Sequence, residues 1–171
     1  MDAILMDYPA GRRSFDPAGN DTDRDVLAVL ADTIEVLRDS EKGFRQASEH
    51  AASPELKDEF LNYSGQRALF VGELQDFERV YGRKNVDHAG SVSGAMHRAW
   101  VGLKTVLSGR SDKTILEEVA EGEKAAADFY AALLATQVNL PSQVSQCLSR
   151  QCAELQKGQI ELRNQCANWP S

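Results

Sequence analysis

Glu41 and Glu123 stand where a helix would be expected to carry apolar residues. In the stretch "LRDSEKGFRQ", residues 37–46, steps of three and four from Leu30 lead through Ile34, Leu37, Glu41, Phe44 and Ser48, so a carboxylate falls on an amphipathic stripe. The same stepping from Leu116 passes Val119, Glu123, Ala126, Tyr130 and Leu133. A carboxylate in such a place requires a metal ion, a cationic partner or a proton. The choice depends on what the other elements bring to the same depth.

Those elements are helices throughout. Residues 1–22, with Pro9, Gly11, Pro17 and Gly19 among scattered charges, have no sustained period and are expected to form a mobile leader to a single domain over 23–168. A first helix is predicted from about Arg24 to Ala51. It ends before "SPELKDEF", where Ser53 can cap a second helix and Pro54 suits its first turn. The second helix runs on Leu56, Phe60, Tyr63, Arg67, Phe70, Leu74, Phe77 and Tyr81, and stops at Gly82. A polar, glycine-rich connection follows, then a short helix over Gly94–Leu107 bearing Met96, Trp100, Leu103 and Leu107, closed by Gly109. The third long helix starts near Ser111 or Asp112. The fourth opens near Pro141 and carries Val144, Leu148, Gln151, Leu155 and Leu162. Two hairpins joined by one crossover of about thirty residues describe an all-α, ferritin-like four-helix bundle with a short extra helix in the crossover.

The bulk properties narrow the function. The 171 residues suffice for one full core, and 19 basic against 26 acidic residues leave a net charge of -7, which disfavours nucleic acid and anionic membranes as partners. No apolar run approaches a membrane span of roughly 18 residues, so a cytoplasmic location is expected. Cys147, Cys152 and Cys166 lack C-x-x-C spacing and read as reduced thiols. Glu117, Glu118 and Glu121 begin the third helix, where the macrodipole favours negative charge, and read as a solvated face. No glycine-rich phosphate loop, nucleophile elbow or zinc signature is visible.

The stretches "DSEKGFRQA", "SPELKDEF", "GSVSGAMHRAWVGLKTVLSG" and "ILEEVAEGEKAAADFY" together resemble a bacterial family of ferritin-like four-helix-bundle domains of unassigned function, over about residues 24–166. The most specific part is His97, Arg98, Trp100 and Lys104 in "HRAWVGLK". The resemblance implies the fold. The wider superfamily, which includes ferritins, rubrerythrins and di-iron oxidases, makes a metal site the first hypothesis to test.

A di-iron bundle needs a glutamate from each of two helices and a Glu-x-x-His pair from each of the others, all at one depth. With the first turn centred near residue 52 or 53, Glu41 faces roughly residue 64, beside Tyr63, Gln66 and Arg67; Glu73 lies more than about 10 Å beyond. With the second turn centred near 139, Glu123 should lie level with about residue 155, close to Glu154. Yet "YSGQ" places Tyr63 and Gln66, and "ELQK" places Lys157, where the Glu-x-x-His pairs would put their ligands. In one reading Glu41, Glu123 and Glu154, helped by Gln66 or His97, hold iron or manganese, as in a di-iron oxidase, a ferroxidase or an iron store. In the preferred reading Arg67 pairs with Glu41 and Gln151 or Lys157 satisfies Glu123, with His97 a hydrogen-bonded packing residue and Trp100 and Tyr130 structural anchors. The protein is then expected to be a cofactor-free, non-catalytic bundle acting as a homo-oligomer or through a protein partner. A carrier of a small apolar ligand between the helices is a third expectation.

Overall fold

The computed structural model describes residues 21–81, 109–136 and 139–169. Within them the chain forms four helices and no strand: α1 (Asp21–His50), α2 (Pro54–Val80), α3 (Asp112–Ala135) and α4 (Ser142–Ala167). The expected leader, the crossover helix, His97 and Trp100 fall wholly or almost wholly outside the described residues.

Local chemistry sets the ends. Ser53 caps α2 by accepting from the Leu56 amide, with Pro54 in the first turn, and Ser111 caps α3 by accepting from the Thr114 amide. Gly109 adopts φ 76°, a left-handed conformation natural to glycine. The interior is built from Val26, Leu30, Leu37 and Phe44 of α1, Leu56, Phe60 and Leu74 of α2, Leu116, Val119 and Tyr130 of α3, and Val144, Leu148, Leu155 and Leu162 of α4.

Side-chain bonds fix the directions. On α2 and α4, Glu59 meets Gln165, Tyr63 meets Glu161 and Glu73 meets Arg150, so these two helices run antiparallel. Tyr130 meets Gln151 across the α3–α4 hairpin. Helices α2 and α3 must then be parallel, and a second contact confirms it: the Asp112 carboxylate at the start of α3 accepts from the Ala52 and Ser53 amides at the start of α2, at 2.6 and 2.8 Å. An up-down-down-up order of the four helices results. Among the described residues, no helix is long and apolar enough to cross a membrane.

The stripe of α1 differs from its expected course. Ser40 is fully buried, whereas Glu41 is partly exposed, so the inward line runs Leu37, Ser40, Phe44, Ala47 and Ala51. An average step near 3.5 residues permits either three-then-four or four-then-three between Leu37 and Phe44, and a small serine fits the closely packed layer better than a carboxylate.

Candidate functional site

One polar layer crosses the middle of the bundle. Arg67 of α2 is completely buried, and its Nη2 donates to Oε1 of the equally buried Glu123 on α3. Its Nη1 donates to Gln66 Oε1, and Gln66 Nε2 in turn donates to Glu154 Oε2 of α4 at 3.5 Å. The guanidinium carbon also lies 5.6, 5.9 and 5.7 Å from the ring centroids of Phe44, Tyr63 and Phe70. Three aromatic rings, one carboxylate and one amide thus hold a permanent cation in the core.

Glu123 accepts from Arg67 through one oxygen, while Oε2 has no hydrogen-bond partner among the described residues. Burial pushes its carboxyl up to about 7, against the opposing pull of the Arg67 charge and hydrogen bond. Space for the carboxylate comes from Gly158 on α4: a Cβ there would lie 2.9 Å from Glu123 Oε1 and 3.1 Å from Tyr63 Cε1. Outside this glycine a groove of about 300 Å³ separates α2 from α4, lined by Glu59, Tyr63, Gln66, Glu154, Lys157 and Glu161 among others.

A second polar cluster lies further along the same pair of helices. Tyr130 donates to Gln151 Oε1 at 2.7 Å, and Gln151 Nε2 donates to Glu73 Oε2 at 2.8 Å. Burial raises the Glu73 carboxyl, but hydrogen bonds from Gln151 and Arg150 and the Arg150 charge outweigh it, leaving it below the usual carboxylate value. Cys147 packs beside this cluster, its thiol raised by burial. All three cysteines are unpaired thiols.

The expected pairings change partners. Arg67 holds Glu123, whereas Glu41 turns outward to Arg45 one turn along α1, at 2.7 Å. Depth was not at fault, since Ser64 Oγ reaches the Glu41 carbonyl at 3.1 Å, as a turn centred near residue 52 or 53 requires. The rotation of α1 that buries Ser40 is what removes Glu41. In the other hairpin Glu123 lies against Gly158, about three residues or roughly 4.5 Å past its expected level. Neither Gln151 nor Lys157 satisfies Glu123: the amide is engaged by Tyr130 and Glu73, and the ammonium lies 3.9 Å from Glu161.

Tyr63, Gln66, Glu154 and Lys157 border one groove, and Arg67 joins Gln66 to Glu123. The donor set of this layer does not fit two iron ions. Glu41 faces away, Gln66 and Lys157 replace both imidazoles, and a guanidinium already uses the central carboxylate. Among the described residues, no group of three or more histidine, cysteine, aspartate or glutamate side chains is placed to hold a metal.

Sequence reasoning put Arg67 and Glu123 on apolar stripes but did not join them. Distance from a turn relates levels only within one hairpin, and this pair bridges parallel helices from different hairpins. Gly158 was also missed, although it lies three residues after Leu155 and four before Leu162, both buried. A glycine at an inward position is the trace that a large neighbour leaves.

Residues 25–136, more than half of the chain, match a family described as a domain of unknown function (DUF2383). No curated protein and no solved structure matches the chain.

Proposed function

We propose, for a chain that belongs to this family of domains of unknown function, a ferritin-like bundle whose ancestral metal layer has been replaced by an ion pair and which acts through contacts instead of catalysis. The single supporting observation is the buried Arg67 guanidinium on Glu123. A fixed positive charge in that layer supplies the counter-ion the carboxylate needs and repels an incoming divalent cation. With no resident cofactor, the working surface is the outside of the bundle. A cytoplasmic homo-oligomer or a complex with a protein partner is the form this reading favours. Leu61 and Leu69 of α2, 50% and 71% exposed, are the first residues to examine for such contacts.

The test is anaerobic iron loading followed by elemental analysis. The proposal expects less than about one-tenth of an equivalent to stay bound after desalting, and the same for manganese. Near-stoichiometric metal that disappears in Glu123→Ala would overturn it in favour of a carboxylate-bound iron or manganese protein of the oxidase or storage type. That second reading draws on the unpartnered Oε2 of Glu123 and the weakly engaged Glu154.

A further inference from the structure

We propose that the outward face of α2 pairs with the same face of a second copy of this chain, the two α2 helices lying antiparallel about a two-fold axis level with residue 67. This pairing deepens the reading of the bundle as one that acts through contacts, and rests on it. Every exposed residue of α2 between Asp58 and Asp76 is uncharged: Leu61, Asn62, Gly65, Ala68 and Leu69. The other helices put charges at exposed positions in their middles, such as Lys42 on α1, Lys124 on α3 and Lys157 on α4. A charge-free strip about five turns long, carrying two outward leucines, marks a side that meets another surface.

The relief of the strip suits a helix. An added Cβ at Gly65 or at Gly72 would meet nothing within 4 Å, so each glycine leaves an open notch beside a leucine. Both weaken α2 and gain nothing inside the chain that carries them. An antiparallel pair centred on residue 67 sets Leu69 of each copy into the notch at Gly65 of the other, and Leu61 beside Gly72, where the missing side chains let the backbones approach.

Charge selects both the second copy and the direction. The strip is bounded by Lys57 and Asp58 at one end and by Asp76 and Arg79 at the other, all exposed. In the antiparallel pair these ends meet twice, once on each side of the axis. Lys57 comes level with Asp76 of the second copy. Arg79 leans back one turn to its own Asp76, as helical side chains do, and so reaches the level of Asp58 of the second copy. A parallel pair would instead set Asp58 against Asp58 and Arg79 against Arg79. The face is thus complementary to itself under a two-fold axis. Its contact is about 32 Å long and one helix wide, less than the ~800 Å² per partner of a standard interface, so a reversible dimer dissociating on the order of 10 µM is expected.

Sedimentation velocity of the full chain from about 1 to about 200 µM tests the pairing, and the parent should pass from monomer to dimer over that range. Gly65→Ala/Gly72→Ala should dissociate about tenfold more readily, while its thermal midpoint in dilute solution rises, and these opposite signs separate the contact from the fold. Asp58→Arg and Arg79→Asp should each weaken the dimer about fivefold, and Asp58→Arg/Arg79→Asp should return to within about twofold of the parent. A chain that stays monomeric overturns the pairing and leaves the strip to a different protein or to another segment of this chain. A dimer indifferent to the glycine variants, or charge reversals that the double variant does not rescue, overturns it as well. Failure of the underlying reading is seen separately, as metal retained by the chain, which sedimentation does not measure.

Discussion

At the scale of single residues, Arg67 and Glu123 are held to one another by the cost of leaving either alone. Deleting the cation strands a carboxylate in the core, and such half-pairs typically cost about 3–5 kcal/mol. Urea unfolding at pH 8 should show Arg67→Met destabilised by on the order of 3 kcal/mol, and Arg67→Met/Glu123→Leu recovering much of that loss. If the double variant were as unstable as the single one, the charge pair would not be the source of the effect. Glu123 also gives the fold a pH dependence with a definite sign. Its carboxyl is raised from 4.5 to about 7 in the folded state, so between those values the native chain holds a proton that the unfolded chain has released. Stability from this group is therefore greatest below pH 4.5 and declines as pH rises towards 7. The decline amounts to on the order of 2–3 kcal/mol, and Glu123→Gln should remove it. Denaturation midpoints of both proteins at pH 5 and pH 8 provide the comparison. A parent that gains stability over that interval relative to the variant contradicts the burial argument.

At the scale of elements, glycine has opposite meanings on α2 and α4. Gly65 and Gly72 have nothing within 4 Å of an added Cβ, so Gly65→Ala and Gly72→Ala should each stabilise the helix by about 0.5–1 kcal/mol. At Gly158 the same methyl group would meet Glu123 and Tyr63, and the overpacking cost of about 1–3 kcal/mol outweighs the gain in propensity. Thermal scans of the three variants should thus move in two directions. Asp112 ties elements together in another way, because one carboxylate receives the two backbone amides at the α1–α2 turn. Asp112→Ala should cost about 2 kcal/mol, and hydrogen exchange should show the Ala52 and Ser53 amides losing protection ahead of the helix interiors. The capping serines and the first-turn proline of α2 were legible beforehand, since such signals act within one turn of chain. Asp112's contact was not, as its partners lie some sixty residues away.

At the scale of the whole molecule, the up-down-down-up order brings helices from different hairpins side by side, and every long-range bond of the polar layer depends on it. Arg67 meets Glu123 because α2 and α3 run parallel. Tyr63, Gln66 and Glu73 meet α4 because α2 and α4 run antiparallel. The proposed contact role is also tested at this scale. Leu69→Glu on the outward side of α2 should lower the sedimentation coefficient at micromolar concentration while leaving the unfolding midpoint unchanged. An unchanged coefficient would remove that side of α2 from any self-association.

The sequence by itself determined the four described helices, nearly all their boundaries, and the presence of acidic and basic residues on stripes that had to be buried. Periodicity and caps are local, so they can be read one turn at a time. Tertiary structure decided which charges meet. A rotation of α1 by a fraction of a turn exchanges Ser40 for Glu41, and a displacement of about three residues between α3 and α4 brings Gly158, in place of the level near residue 155, beside Glu123. Both are small movements of rigid helices, set by how all four pack at once, and no single stripe carries that information.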